Sequence, residues 1–214
     1  MLATRVSPSI SADRADLSPD GEFVSYIRNN TAPESGWDLY GFRLAKSGRE
    51  EELRITRQRF SADIAKIKTS PAVFDQAAGK YLVAFSVNNT LYVIWHDGTA
   101  PNGGHEPQAI PLTDSEKEAS FHRVRLNPRF SNLILYRHNP LHDKATDGAS
   151  RNLWVIDWTA SPLKPVQWHD HAKGPHMLWT PDGQHVAVDR LWTEFKLANP
   201  DGKLIAGLIP TSIC

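Results

Sequence analysis

The chain has almost no cysteine: its one thiol, Cys214, is the last of 214 residues. That excludes an intrachain disulfide and a cysteine zinc cage. It has no excess of charge either, with 24 Lys and Arg against 24 Asp and Glu. A nucleic-acid surface needs a basic stripe and an anionic bilayer attracts a polybasic patch, so this balance argues against both partners. No apolar run approaches the ~18–20 residues of a membrane span. The opening MLATRVSPSISADR carries no apolar block of the kind a secretory signal needs, and a cytoplasmic address is expected. Phosphate-cradling glycine loops, HExxH zinc helices and a Gly-x-Ser-x-Gly nucleophile elbow are missing as well.

What the chain does have is turn residues and aromatics: 15 Pro, 13 Gly and 7 Trp, together with 9 His. Gly and Pro recur between short runs of Val, Ile, Leu and aromatic residues, and no segment keeps a 3.6-residue period. An all-β fold is expected.

The turns repeat. LSPDGEFVSYI (17–27), WTPDGQHVAVD (179–189) and ANPDGKLIAGL (198–208) each join a Pro-Asp-Gly turn to an apolar or alternating strand. Proline presets φ at the first corner, Asp bonds the backbone ahead, and Gly takes positive φ. SPAVFDQAAGKYLVAFS (70–86) enlarges the turn, and LNPRFSNLILYR (126–137) replaces its Asp-Gly. An aromatic strand follows each of the first three turns or their variants in WDLYGFRL, NTLYVIW and NLWVIDW, and a linking strand comes after in LRITRQ, AIPLTDS and PVQWHDH. Pro19, Pro71, Pro128 and Pro181 stand 52, 57 and 53 residues apart. Four antiparallel strands recurring at about 40–50 residues is the pattern of a β-propeller blade. The expected architecture is an N-terminal extension over 1–12 and an incomplete β-propeller over 13–214. Its blades fall near 13–52, 53–108, 109–164 and 165–214, about three and a half to four in all. Pro181 and Pro200 are only 19 residues apart, which points to a truncated or internally deleted chain, or to blades completed by self-association.

The Pro-Asp-Gly blade resembles TolB-type propellers. FHRVRLNPRFSNLILYRHNPLHD, RNLWVIDW and GPHMLWTPDG, in that order, resemble the oligogalacturonate lyase family over about residues 115 to 190. The matching positions are His122, His138, Arg151 with Trp154, and His176 with Trp179, Asp182 and Gly183. The resemblance implies a polysaccharide lyase that cuts oligogalacturonides by β-elimination with a divalent metal such as Mn²⁺. It implies His122 as the proton-abstracting base and His176 as a metal ligand, with Arg151 and His138 towards the acidic saccharide. Those residue types suit the chemistry. The proton α to a uronate carboxylate becomes labile when a metal or an arginine neutralises that carboxylate, and a near-neutral imidazole can then remove it.

The family's metal shell is completed by a later Gln and two further His upstream of a turn like Asn199-Pro200-Asp201-Gly202. Here Leu191–Leu197 fill that stretch, and no histidine follows His185. The lyase expectation therefore stands beside an alternative, a non-catalytic TolB-like scaffold that binds a protein or a saccharide. Plainer roles accompany each candidate: strand-end packing for His122, loop solvation for His138, a structural ion pair for Arg151, and inter-sheet packing for Trp154 and Trp179.

Overall fold

The computed structural model describes residues 12–30, 36–45, 48–49, 52–57, 60, 67–87, 90–96, 105–112, 120–139, 152–168, 177–188 and 193–196. They form an all-β structure of antiparallel sheets laid down in sequence order. In the first sheet, β1 (Ala12–Leu17), β2 (Phe23–Asn30), β3 (Gly36–Ala45) and β4 (Gly48–Arg49) follow one another, and β5 (Leu53–Arg54) returns to β3. The second sheet pairs β6 (Lys68–Thr69) and β7 (Val73–Asp75) with β8 (Lys80–Val87), then β9 (Thr90–His96) and β10 (Gln108–Ile110). The third is a meander of β11 (Ser120–Leu126), β12 (Leu133–Asn139), β13 (Asn152–Asp157) and β14 (Val166–Trp168). The fourth contains β15 (Met177–Trp179), β16 (His185–Val188) and β17 (Thr193–Lys196). Among the described residues no helix is long and apolar enough to cross a membrane.

Most of the phrases read as strands contain strands where they are described, AIPLTDS only at Ala109 and Ile110 and PVQWHDH only at Val166–Trp168. LSPDGEFVSYI supplies the end of β1, a turn and β2, while the aromatic phrases supply β3, β9 and β13. LRITRQ differs, with only Leu53 and Arg54 in a strand. Beyond them Ile55 donates to the Leu39 carbonyl, and Thr56 forms a single bridge to His105. The turn phrase at 198–208 lies outside the described residues.

The second and third sheets bury both faces, which explains why their central strands read as unbroken apolar runs. Strand β8 is buried from Tyr81 to Val87. Its Tyr81, Val83, Phe85 and Val87 pack with Phe23, Ile27 and Leu39 of the first sheet. Leu82 and Ala84, pointing the other way, pack with Val124, Ile134 and Tyr136 of the third. Strand β12 repeats the device: Ile134 and Tyr136 face the second sheet, whereas Leu133 and Leu135 meet Met177, Trp179 and Val186 of the fourth. Alternation along one strand thus joins a sheet to both neighbours, each large apolar side chain contributing about 1.5–3 kcal/mol of transfer free energy.

The turns share a closure not evident from the Pro-Asp-Gly pattern. A short polar residue precedes each proline, and its backbone N–H donates to a later strand: Ser18 to Phe23, Ser70 to Ala84, Asn127 to Leu133 and Thr180 to His185. In three of them the hydroxyl accepts the returning N–H, from Phe23 to Ser18 (2.8 Å), Ala84 to Ser70 (3.1 Å) and His185 to Thr180 (3.1 Å). In the fourth, the Asn127 side-chain oxygen instead takes the N–H groups of Arg129 and Phe130 (3.0 and 2.9 Å), replacing the missing Asp-Gly. Neighbouring turns are tied together: Tyr81 donates to Asp20 (3.0 Å), Ser131 to Asp75, and the Asn127 amide to the Gly183 carbonyl (2.6 Å). All four sheets therefore carry these turns at one end of the molecule.

Candidate functional site

Strands β11 and β15 both run towards that turn end, so their first residues lie towards the other. His122 sits in β11 where the register slips: Phe121 pairs with His138 and Arg123 with Arg137, leaving His122 as the extra residue. Such a bulge locally re-aims a strand and is common beside functional sites. His138, in β12, lies between Phe121 on one side and Asn152 of β13 on the other. The backbone thus brings positions 122 and 138 to adjacent strands at one end of the third sheet. Arg151 and His176 lie outside the described residues, as do His142, His169 and His171. Their sequence neighbours Asn152 and Met177 open β13 and β15.

Two residues next to His122 were not singled out in the sequence. Arg123 and Arg125 stand two positions apart in β11, which puts both on one strand face. The Arg125 guanidinium donates to the carbonyls of Thr69 in β6 (2.9 Å) and Val124 (3.0 Å). Its own carbonyl accepts the indole N–H of Trp179 in β15 (3.2 Å). Burial pulls the Arg125 guanidinium below its ordinary pKa; the Asp16 carboxylate of β1 opposes that fall and the Arg123 cation adds to it. Arg125 thus links the first strands of three sheets: β11 carries it, β6 accepts from its guanidinium and β15 donates to its carbonyl, while the Asp16 carboxylate of β1 acts on its charge. The sequence signal that could have found the pair is the alternation Arg-Val-Arg-Leu, whose Val124 and Leu126 face the core.

Trp154, Trp158 and Trp179 serve packing. Trp179 is 9% exposed and belongs to the core between the third and fourth sheets. Trp154 lies parallel to Tyr136 at 6.4 Å between ring centroids and covers the edge of the core between the second and third. Trp158 closes its turn by donating from the indole N–H to the Ser131 carbonyl (2.8 Å) and meets Trp95 edge-on.

Among the described residues no group of three or more His, Cys, Asp or Glu side chains could hold a metal ion. His176, the expected ligand, lies outside the described residues. Chemically, the site offers two guanidinium groups on one strand beside a bulged histidine position, a setting that favours an anion bearing a planar carboxylate.

No protein-family model matches the chain, and no curated protein matches it significantly.

Proposed function

We propose that the four sheets are successive fans of an incomplete β-propeller, and that the end carrying His122 and His138 receives an acidic oligosaccharide, cleaved as oligogalacturonate lyases cleave theirs. The observation that carries this reading is the convergence of β6, β11 and β15 on Arg125, whose charge is also offset by Asp16 of β1. Fans radiating from one axis require their first strands to meet there, whereas two stacked sheets do not. The Arg123 and Arg125 cations at that axis supply a reason for the ligand to be anionic.

In this reading a uronate carboxylate lies against Arg123, the more outward member of the pair towards the His122 end. Its negative charge is offset there, and the neighbouring proton becomes easier to remove. His122 takes that proton, a general-base contribution of about 10²–10⁴ in rate. The electron pair of the broken C–H bond becomes the new carbon–carbon double bond, and the bond to the leaving-group oxygen breaks. That oxygen takes a proton from water and His122 returns its own to solvent, giving an unsaturated sugar and a shortened chain. Arg151, His138 and the metal ligand His176 belong to the same end in this reading. A manganese ion there would add Lewis-acid stabilisation.

The second reading, a saccharide-binding scaffold without catalysis, is favoured by the stretch Leu191–Leu197, which lacks the Gln and His that complete the family's metal shell. One experiment separates the two. The full chain is titrated with digalacturonate and with neutral digalactose by calorimetry, and the ultraviolet absorbance of the unsaturated product is followed with and without Mn²⁺. Selective binding with rising absorbance supports the lyase, and selective binding with a flat trace supports the scaffold. Equal or no binding of the two sugars overturns both. Sedimentation tests the associated proposal that a second copy completes the ring.

A further inference from the structure

The turn end, away from His122, holds a cleft of about 330 Å³ between the first and second sheets, with Pro128 of the third at its rim. That volume lies at the small end of the range for ligand pockets. We propose that this cleft binds a small zwitterion with an apolar body, such as a dipeptide bearing an aliphatic side chain.

Asp20 is fully employed: one oxygen takes the Ser18 hydroxyl and the Glu22 N–H, and the other takes the Tyr81 hydroxyl. Glu22 and Arg43, which also line the cleft, are different. Among the described residues neither side chain has an ion-pair partner, although both are exposed and of opposite sign. Arg43 is held with its guanidinium 5.5 Å from the centroid of the Tyr81 ring, a cation–π placement that leaves its outer donors free. Tyr81 itself is fixed by stacking on Phe23 at 4.6 Å and by its bond to Asp20. Phe74 meets Tyr81 edge-on at 5.1 Å and remains 36% exposed, an aromatic surface inside a concave site.

Charge then selects the ligand class. A bare anion would meet Arg43 but also the Asp20 and Glu22 carboxylates, and a bare cation would meet Arg43 unfavourably. A ligand with an ammonium towards Glu22 and a carboxylate on Arg43 satisfies both, with its apolar part on Phe74, Pro19 and Pro128. The site is separate from the proposed saccharide end and does not depend on it.

The test titrates leucyl-glycine, its N-acetyl derivative and its C-terminal amide into the full chain. NMR signals of the Arg43 Nε–H and of the Phe74 and Tyr81 rings are followed. The free dipeptide is expected to shift these signals and saturate with a dissociation constant on the order of millimolar, with each blocked derivative at least about tenfold weaker. Glu22→Gln should remove the penalty for N-acetylation, and Arg43→Gln the penalty for amidation. Absence of saturable shifts in the unaltered protein overturns the proposal, as does equal binding of the three ligands. A response of Arg43 to digalacturonate in place of the dipeptide overturns the zwitterion assignment.

Discussion

The first and fourth turns are nearly the same words, Ser-Pro-Asp-Gly at 18–21 and Thr-Pro-Asp-Gly at 180–183, in different company. Both glycines have positive φ, +76° at Gly21 and +68° at Gly183. A Cβ at Gly21 would meet nothing within 4 Å, whereas one at Gly183 would stand 2.3 Å from the Asn127 side-chain oxygen. The first turn ties to its neighbour through a side chain, Asp20 with Tyr81, and the fourth through its backbone, Gly183 with Asn127. Identical local chemistry thus serves two kinds of attachment. A turn's sequence specifies its own shape, and its neighbour determines which of its atoms become indispensable.

Gly183→Ala should cost about 3–4 kcal/mol, combining the positive-φ penalty with overpacking against buried Asn127; chemical denaturation measures it. Gly21→Ala should cost only about 1–2 kcal/mol, because only the φ penalty applies. Equal losses in the two variants would mean that Asn127 does not crowd Gly183.

Tyr81→Phe should cost about 1 kcal/mol, the worth of its bond to Asp20, and leave the fourth turn untouched. The Tyr81 hydroxyl is pushed up to about 12 by burial first, then by its bond to Asp20 and that carboxylate's charge. Its folded pKa exceeds the unfolded value of about 10, so its contribution is complete below about pH 10 and is lost as pH rises towards 12. Ultraviolet titration should show a late phenolate that disappears in the Phe variant.

The smallest effect on folding belongs to Asp182, held below its ordinary pKa by the Thr180 hydroxyl first and then by the Gln184 N–H. A depressed carboxylate stabilises above its unfolded pKa, near 3.9, and that contribution is lost as pH falls through the lower folded value. An NMR titration should find Asp182 ionised at a pH where Thr180→Ala leaves it partly protonated.

At the saccharide end, Arg123→Gln should weaken digalacturonate binding by about 10–100-fold, the worth of a charge-assisted hydrogen bond, with binding of digalactose unaltered.

The all-β class was legible from turn residues and period-two strands, because both are local: Pro19, Asp20 and Gly21 bend the chain by their own sterics, and Phe23, Ser25 and Ile27 share a face whatever surrounds them. The double burial of β8 and β12 was half legible, as an apolar run that names no partner. The site was less so. His122 was singled out through a resemblance, yet its place at a register slip depends on how β11 pairs with β12. Arg125 drew no attention because its partners, Thr69, Trp179 and Asp16, are 54 to 109 residues away in the chain.

By itself the sequence determined where this chain turns, which segments extend and which residues alternate inward, since those follow from backbone sterics and side-chain period. Folding settled which turn touches which, that Gly183 must lack a side chain for space as well as for φ, and that β6, β11 and β15 are joined through Arg125. Those outcomes depend on distances between groups remote in the chain, and no local preference encodes a distance.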